Sequence, residues 1–86
     1  MFYVYLIRSK QDNNLYTGPT NDLRKRLSEH NKGLNRSTKH RTPFELIYYE
    51  AYKSEHDARI REQSLKLRAN AFRQLKRRIH ESLVLN

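Results

Sequence analysis

The chain contains no cysteine, which excludes both a disulfide framework and a thiolate metal site. Its four histidines, His30, His40, His56 and His80, are scattered and never fall in an HxxxH spacing, so a zinc site is not expected. No long hydrophobic run occurs. The N-terminal FYVYLI is too short to span a bilayer and lacks the basic flank of a secretory leader. There is also no internal repeat, low-complexity tract or shift of composition that would mark a linker. These absences lead us to expect a soluble, cytoplasmic protein in which residues 1–86 form one domain with one small core.

Positive charge is what the chain has in excess. Eighteen lysines and arginines stand against nine acidic residues, a formal net charge of +9. On so small a chain this points to a polyanionic partner, usually nucleic acid. No basic helix presents a broad aromatic face, so a membrane surface is not the expected partner.

Residues 2–8, FYVYLIR, are aromatic and β-branched in the manner of a buried strand. SKQDNN reads as a polar turn and LYTG as the hairpin partner, with Gly18 and Pro19 expected to break that strand. Thr20, Asn21 or Asp22 caps a helix running to about Asn31, and Gly33 stops it. The basic loop LNRSTKHRT follows, and Pro43 opens a third strand, FELIYYEAY. Ser54 with Asp57 three residues later resembles a capping box for a helix ending near Arg68. In the last segment Phe72, Leu75, Ile79 and Leu83 fall at helical spacing, with Arg73, Lys76, Arg77 and Arg78 on other faces. The order β-β-α-β-α-α predicts an α+β fold, a small three-stranded antiparallel sheet flanked by helices.

Several polar residues lie close to these apolar stripes. In the first helix Leu23 and Leu27 define the stripe, and His30 lies one turn beyond it. Arg26 precedes His30 by four residues on one flank, Arg24 sits on the other, and Lys25 points away. Helix geometry alone does not choose between the two arginines, and solvated cations beside a half-packed histidine satisfy the same spacing. Glu62 lies four residues after Ala58 and three before Leu65, beside a packed face. Burying it unpaired would be costly; a metal ion, a neighbouring arginine, or an ordinary helix salt bridge to Arg59 or Lys66 would each resolve that cost. Six tyrosines concentrate in the strands, where most serve packing. Tyr5 and Tyr16 lie on strands expected to pair, so their hydroxyls can converge.

Taken together, YVY at 3–5, LYTG at 15–18, TNDLRKRLSEHN at 20–31 and SEHDARIREQSLK at 54–66 resemble the GIY-YIG nuclease superfamily, most closely its small stand-alone members. The resemblance implies a metal-dependent endonuclease that hydrolyses DNA, rather than RNA, phosphodiester bonds, on branched or damaged structures. By the same resemblance Tyr5 stands at the tyrosine of the first motif, and Tyr16 and Gly18 at the tyrosine and glycine of the second. Arg26 matches the family arginine, His30 the downstream histidine, and Glu62 the metal-binding glutamate. The implied cofactor is one magnesium or manganese ion at Glu62, since only one carboxylate matches. Arg26 would grip the scissile phosphate through its forked donors. Tyr16 is the candidate base for the attacking water, with Tyr5 in support. A free tyrosine titrates near 10, so a nearby cation must assist its deprotonation.

Arg24, Lys25, Lys39, Arg77 and Arg78 are the expected phosphate contacts. Two departures from the family pattern stand out: Tyr3 replaces the first glycine, and Pro19 removes a backbone donor after Gly18. A non-catalytic basic nucleic-acid-binding module with this fold is the alternative. A third reading is an adaptor that docks its basic C-terminal helix on an acidic protein.

Overall fold

The computed structural model describes residues 1–85. Strands β1 (Phe2–Ser9) and β2 (Leu15–Thr20) are followed by helix α1 (Leu23–Asn31), strand β3 (Phe44–Tyr52), and helices α2 (Glu55–Leu67), α3 (Ala69–Arg78) and the short α4 (His80–Val84). A 3-10 turn at Lys39–Arg41 lies in the loop before β3. The sheet is antiparallel, in the order β2-β1-β3, and the architecture is the expected α+β.

The period-two alternation of β1 divides the core into two layers. Val4 and Leu6 point to one face, where Ala58 and Leu65 of α2 and Leu75 and Ile79 of the C-terminal segment cover them. Tyr5 and Ile7 point to the other, where they pack with Phe44 and with Leu23 and Leu27 of α1. Burying each such aliphatic side chain contributes about 1.5–3 kcal/mol. The central strand, buried on both faces, therefore anchors the fold.

Local signals set the helix ends. The Asp22 carboxylate accepts a 3.0 Å hydrogen bond from Lys25 N, and Gly33, with φ +74°, takes the left-handed conformation just beyond α1. Ser54 Oγ accepts from Asp57 N at 3.2 Å, as its spacing predicts. Arg61 of α2 reaches β3 and donates to both Glu50 carboxylate oxygens, at 3.0 and 3.2 Å from Nε. This fixes α2 against the sheet.

Three details differ from the sequence expectation. Pro19 does not end β2; it pairs with Val4, and the strand runs on to Thr20. An edge strand tolerates proline because the missing N–H costs a ladder bond only if it faces a neighbour. The pairing of β1 with β3 shifts register between Leu6 and Ile7, so the consecutive Ile47 and Tyr48 both pack on the α2 side. Finally, the C-terminal apolar stripe is carried by two helices. Ile79, at φ −105° and ψ 30°, interrupts them while itself remaining buried.

Candidate active site

On the α1 face of the sheet, the ladder places Tyr5 opposite Gly18 on one side and Tyr49 on the other. The Tyr5 ring leans over Gly18, so its hydroxyl lies beneath α1. There it is 2.8 Å from His30 Nε2 and accepts a long hydrogen bond of 3.4 Å from Arg26 Nε. His30 is wholly buried, and its second nitrogen, Nδ1, is 2.8 Å from Thr38 Oγ1. Tyr16 stands beside this row, its ring 6.4 Å from that of Tyr5 and 5.2 Å from the imidazole between centroids.

Glu62 and Lys66 on α2 complete the cluster. Their ion pair spans 2.6 Å, and the Lys66 ammonium lies 5.6 Å from the centre of the Tyr16 ring. The structure thus brings Tyr5, Tyr16, Arg26, His30 and Glu62 to one place although they come from four elements. The helix flank that spacing left open is settled: Arg26, not Arg24, turns inward, and Arg24 is exposed.

The electrostatics follow from burial. Desolvation raises the Tyr5 phenol above its ordinary value and the neighbouring Glu62 carboxylate adds to this, while the bond to Arg26 and its charge oppose it. Burial, helped by the Arg26 charge, pushes His30 down to about 4. The imidazole is therefore neutral at physiological pH. Arg26 is itself paired with Glu29 through Nη1 at 3.2 Å, and its side chain remains 32% exposed.

Among the described residues no group of three or more His, Asp or Glu side chains is assembled to hold a metal ion. Glu62 is the carboxylate that α2 brings to the cluster, and Lys66 engages its Oε2, which leaves Oε1. That donor set fits magnesium, which retains several waters and is commonly bound through one or two carboxylates plus substrate phosphate. It does not fit a cation held in an all-protein cage.

The expected phosphate contacts are distributed over both faces. Arg24 and Lys25 on α1 and Lys39 in the 3-10 turn are exposed on segments near the cluster. Arg77 and Arg78 are also exposed, but they belong to α3, which packs on the opposite face of the sheet. Thr20, the residue after Pro19, is engaged locally, accepting from Asp22 N at 3.0 Å. Sequence reasoning missed Thr38, which sits in a polar loop without periodicity. It considered Lys66 only as a salt-bridge partner, and the i,i+4 spacing to Glu62 was the one signal available.

A three-stranded sheet with Tyr5, Tyr16, Arg26 and His30 gathered under its first helix, and the Glu62–Lys66 pair of α2 beside Tyr16, defines a class, and comparison of the sequence with protein families agrees. The family model described as "GIY-YIG catalytic domain" matches residues 1–78, and the chain belongs to this family, a superfamily of nucleases. It is similar to a UPF0213 protein of Clostridium perfringens, 42% identical over 67 residues, covering 77% of this chain and 71% of the relative. A UPF0213 protein of Pediococcus pentosaceus is 42% identical over 71 residues, covering 81% and 74% respectively. One of Staphylococcus haemolyticus is 42% identical over 65 residues, covering 74% and 78%. No solved structure matches the chain.

Proposed function

We propose that the protein is a divalent-metal-dependent endonuclease that hydrolyses DNA phosphodiester bonds, with branched or damaged DNA as its substrate. The convergence of the Tyr5, Arg26 and His30 side chains within hydrogen-bonding distance, with Tyr16 and Glu62 beside them, carries this reading. Attack by water on a phosphodiester forms one P–O bond and breaks another, and negative charge grows on the phosphoryl and leaving oxygens. Positioned positive charge and proton acceptors are what such a reaction needs.

Arg26 is suited to hold the scissile phosphate, because Tyr5 and Glu29 fix two of its nitrogens while its side chain remains partly exposed. Tyr16 is the proposed proton acceptor for the attacking water: it is half-buried rather than enclosed, with the Lys66 ammonium beside its ring. Tyr5, almost fully enclosed, orients Arg26 through its hydroxyl. One magnesium or manganese ion bound at Glu62 would neutralise charge on the phosphate and the leaving oxygen. Arg24, Lys25 and Lys39 would contact flanking phosphates, with Arg77 and Arg78 serving DNA that wraps beyond this face.

The test is Glu62→Gln on single-stranded, duplex and branched DNA, with and without Mg²⁺. The swap preserves shape and removes the charge that would hold the cation. Binding should persist, and cleavage at ordinary Mg²⁺ concentration should disappear. A wild-type protein that binds every substrate and cuts none would instead establish a non-catalytic binding module.

A further inference from the structure

The loop between α1 and β3 turns on Asn35, whose carbonyl accepts from Thr38 N at 3.1 Å and Lys39 N at 3.0 Å. That turn drives Thr38 into the interior while Ser37 and Lys39 on either side stay exposed. Thr38 is 0% exposed, and its hydroxyl reaches one partner among the described residues, His30 Nδ1.

A neutral imidazole has one donor and one acceptor, a guanidinium only donates, and each hydroxyl carries one proton. Two arrangements of protons satisfy the distances. In the first, Tyr5 donates to Nε2 and Nδ1–H donates to Thr38, which strands the Thr38 proton in the dry interior. In the second, Thr38 donates to Nδ1 and Nε2–H donates to Tyr5. Every polar atom of the His30 and Thr38 side chains is then used. The one proton left over belongs to Tyr5, beside the partly exposed Arg26 side chain. Either arrangement leaves one hydroxyl proton unpaired, which is costly in the interior; the second leaves it on Tyr5, 2% exposed, rather than on Thr38, 0% exposed, and is favoured because the Arg26 side chain beside Tyr5 is partly open to solvent.

We propose that Thr38 is a positioning residue that holds His30 as its Nε2–H tautomer, so that His30 donates to Tyr5 and turns the Tyr5 hydroxyl proton toward an oxygen of the bound phosphate. The functional part of this inference rests on the nuclease reading above; the proton arrangement does not. Tyr5 oxygen then accepts from two donors, His30 and Arg26, and is locked in place. Its own proton becomes a third hydrogen bond to the substrate alongside the guanidinium. The imidazole, neutral well below pH 7, retains the single N–H on which the arrangement depends.

Nitrogen-15 NMR of the histidine side chains at pH 7 tests the arrangement without any substrate. His30 should show a protonated Nε2 and a hydrogen-bonded, unprotonated Nδ1. In Thr38→Val, which keeps the shape and loses the hydroxyl, this fixed tautomer should give way to a mixture. Single-turnover DNA cleavage should fall roughly 10–100-fold, the range seen when groups orienting metal-binding histidines are removed, with DNA affinity unchanged. Thr38→Ser should restore the spectrum and the rate, and it keeps the test open should the valine variant fail to fold.

A wild-type His30 in the Nδ1–H form overturns the proposal whether or not the protein cuts DNA. So does a Thr38→Val protein with an unaltered spectrum and rate. The Nε2–H form in a protein that cleaves no DNA would support the proton arrangement and overturn the nuclease reading and the role in it.

Discussion

Gly18 and Tyr5 face each other across the β1–β2 ladder so closely that position 18 has no room for a side chain. A Cβ placed on Gly18 would stand 2.5 Å from the Tyr5 hydroxyl oxygen and 2.7 Å from the ring carbon that bears it. The glycine is required for space, because the ring that crosses it is rigid and held at its tip by His30 and Arg26. Gly18→Ala should therefore push the Tyr5 ring out of place. We expect a loss of about 1–3 kcal/mol, the usual cost of overpacking a core, together with loss of cleavage. Urea unfolding measures the first, and a change below about 0.5 kcal/mol would mean that the ring shifts freely.

His30 gives stability a pH dependence in a window where carboxylates contribute little. Its folded value is lowered from 6.5 to about 4, chiefly by burial and then by the Arg26 charge, against a smaller opposing effect of Glu29. The unfolded chain therefore binds the proton first. The stabilisation is complete above pH 6.5, declines as the pH falls, and is gone near 4. The total is up to about 3 kcal/mol. Urea midpoints between pH 7 and 5 should fall in the wild type and stay nearly level in His30→Gln. An equal slope in both proteins would remove His30 as its source.

Tyr16→Phe separates packing from chemistry. The ring keeps its contacts with Tyr5 and His30 and its place under Lys66, so thermal stability should change by under about 1 kcal/mol. If the hydroxyl accepts the proton of the attacking water, the single-turnover rate should drop roughly 10²–10⁴-fold. A rate within twofold of wild type would transfer that role to another group.

The two sets of exposed cations should differ in their effect on binding. Replacing Arg24 and Lys25, on the helix that covers the cluster, should weaken DNA binding at every sequence. It should also reduce the slope of log affinity against log salt by roughly one to two, about one for each lost phosphate contact. Replacing Arg77 and Arg78, on the opposite face, should have a smaller effect on a short duplex. Titrations at several salt concentrations decide this, and equal effects would place the DNA across both faces.

The three strands, the cap at Ser54, a helix start within residues 20–22 and the end of α1 at Gly33 were legible in the sequence, because each depends on neighbours within a few residues. Alternation of side chains along β1 also foretold that Tyr5 and Val4 would face opposite ways. The resemblance named the residues of the site but placed none of them. What only the tertiary structure decided involves partners far apart in the chain. Pro19 remains in a strand because β2 lies at the sheet's edge, and the last apolar stripe breaks at Ile79. The resemblance had already matched Arg26 rather than Arg24, but the reason it turns inward is tertiary: the Tyr5 hydroxyl, 21 residues away, is there to meet it. Thr38 could not be found by spacing. An unremarkable threonine in a polar loop acquires its role only when the chain folds back to bury it, because the free energy of an unpaired imidazole nitrogen exists only in the dry interior that the fold creates.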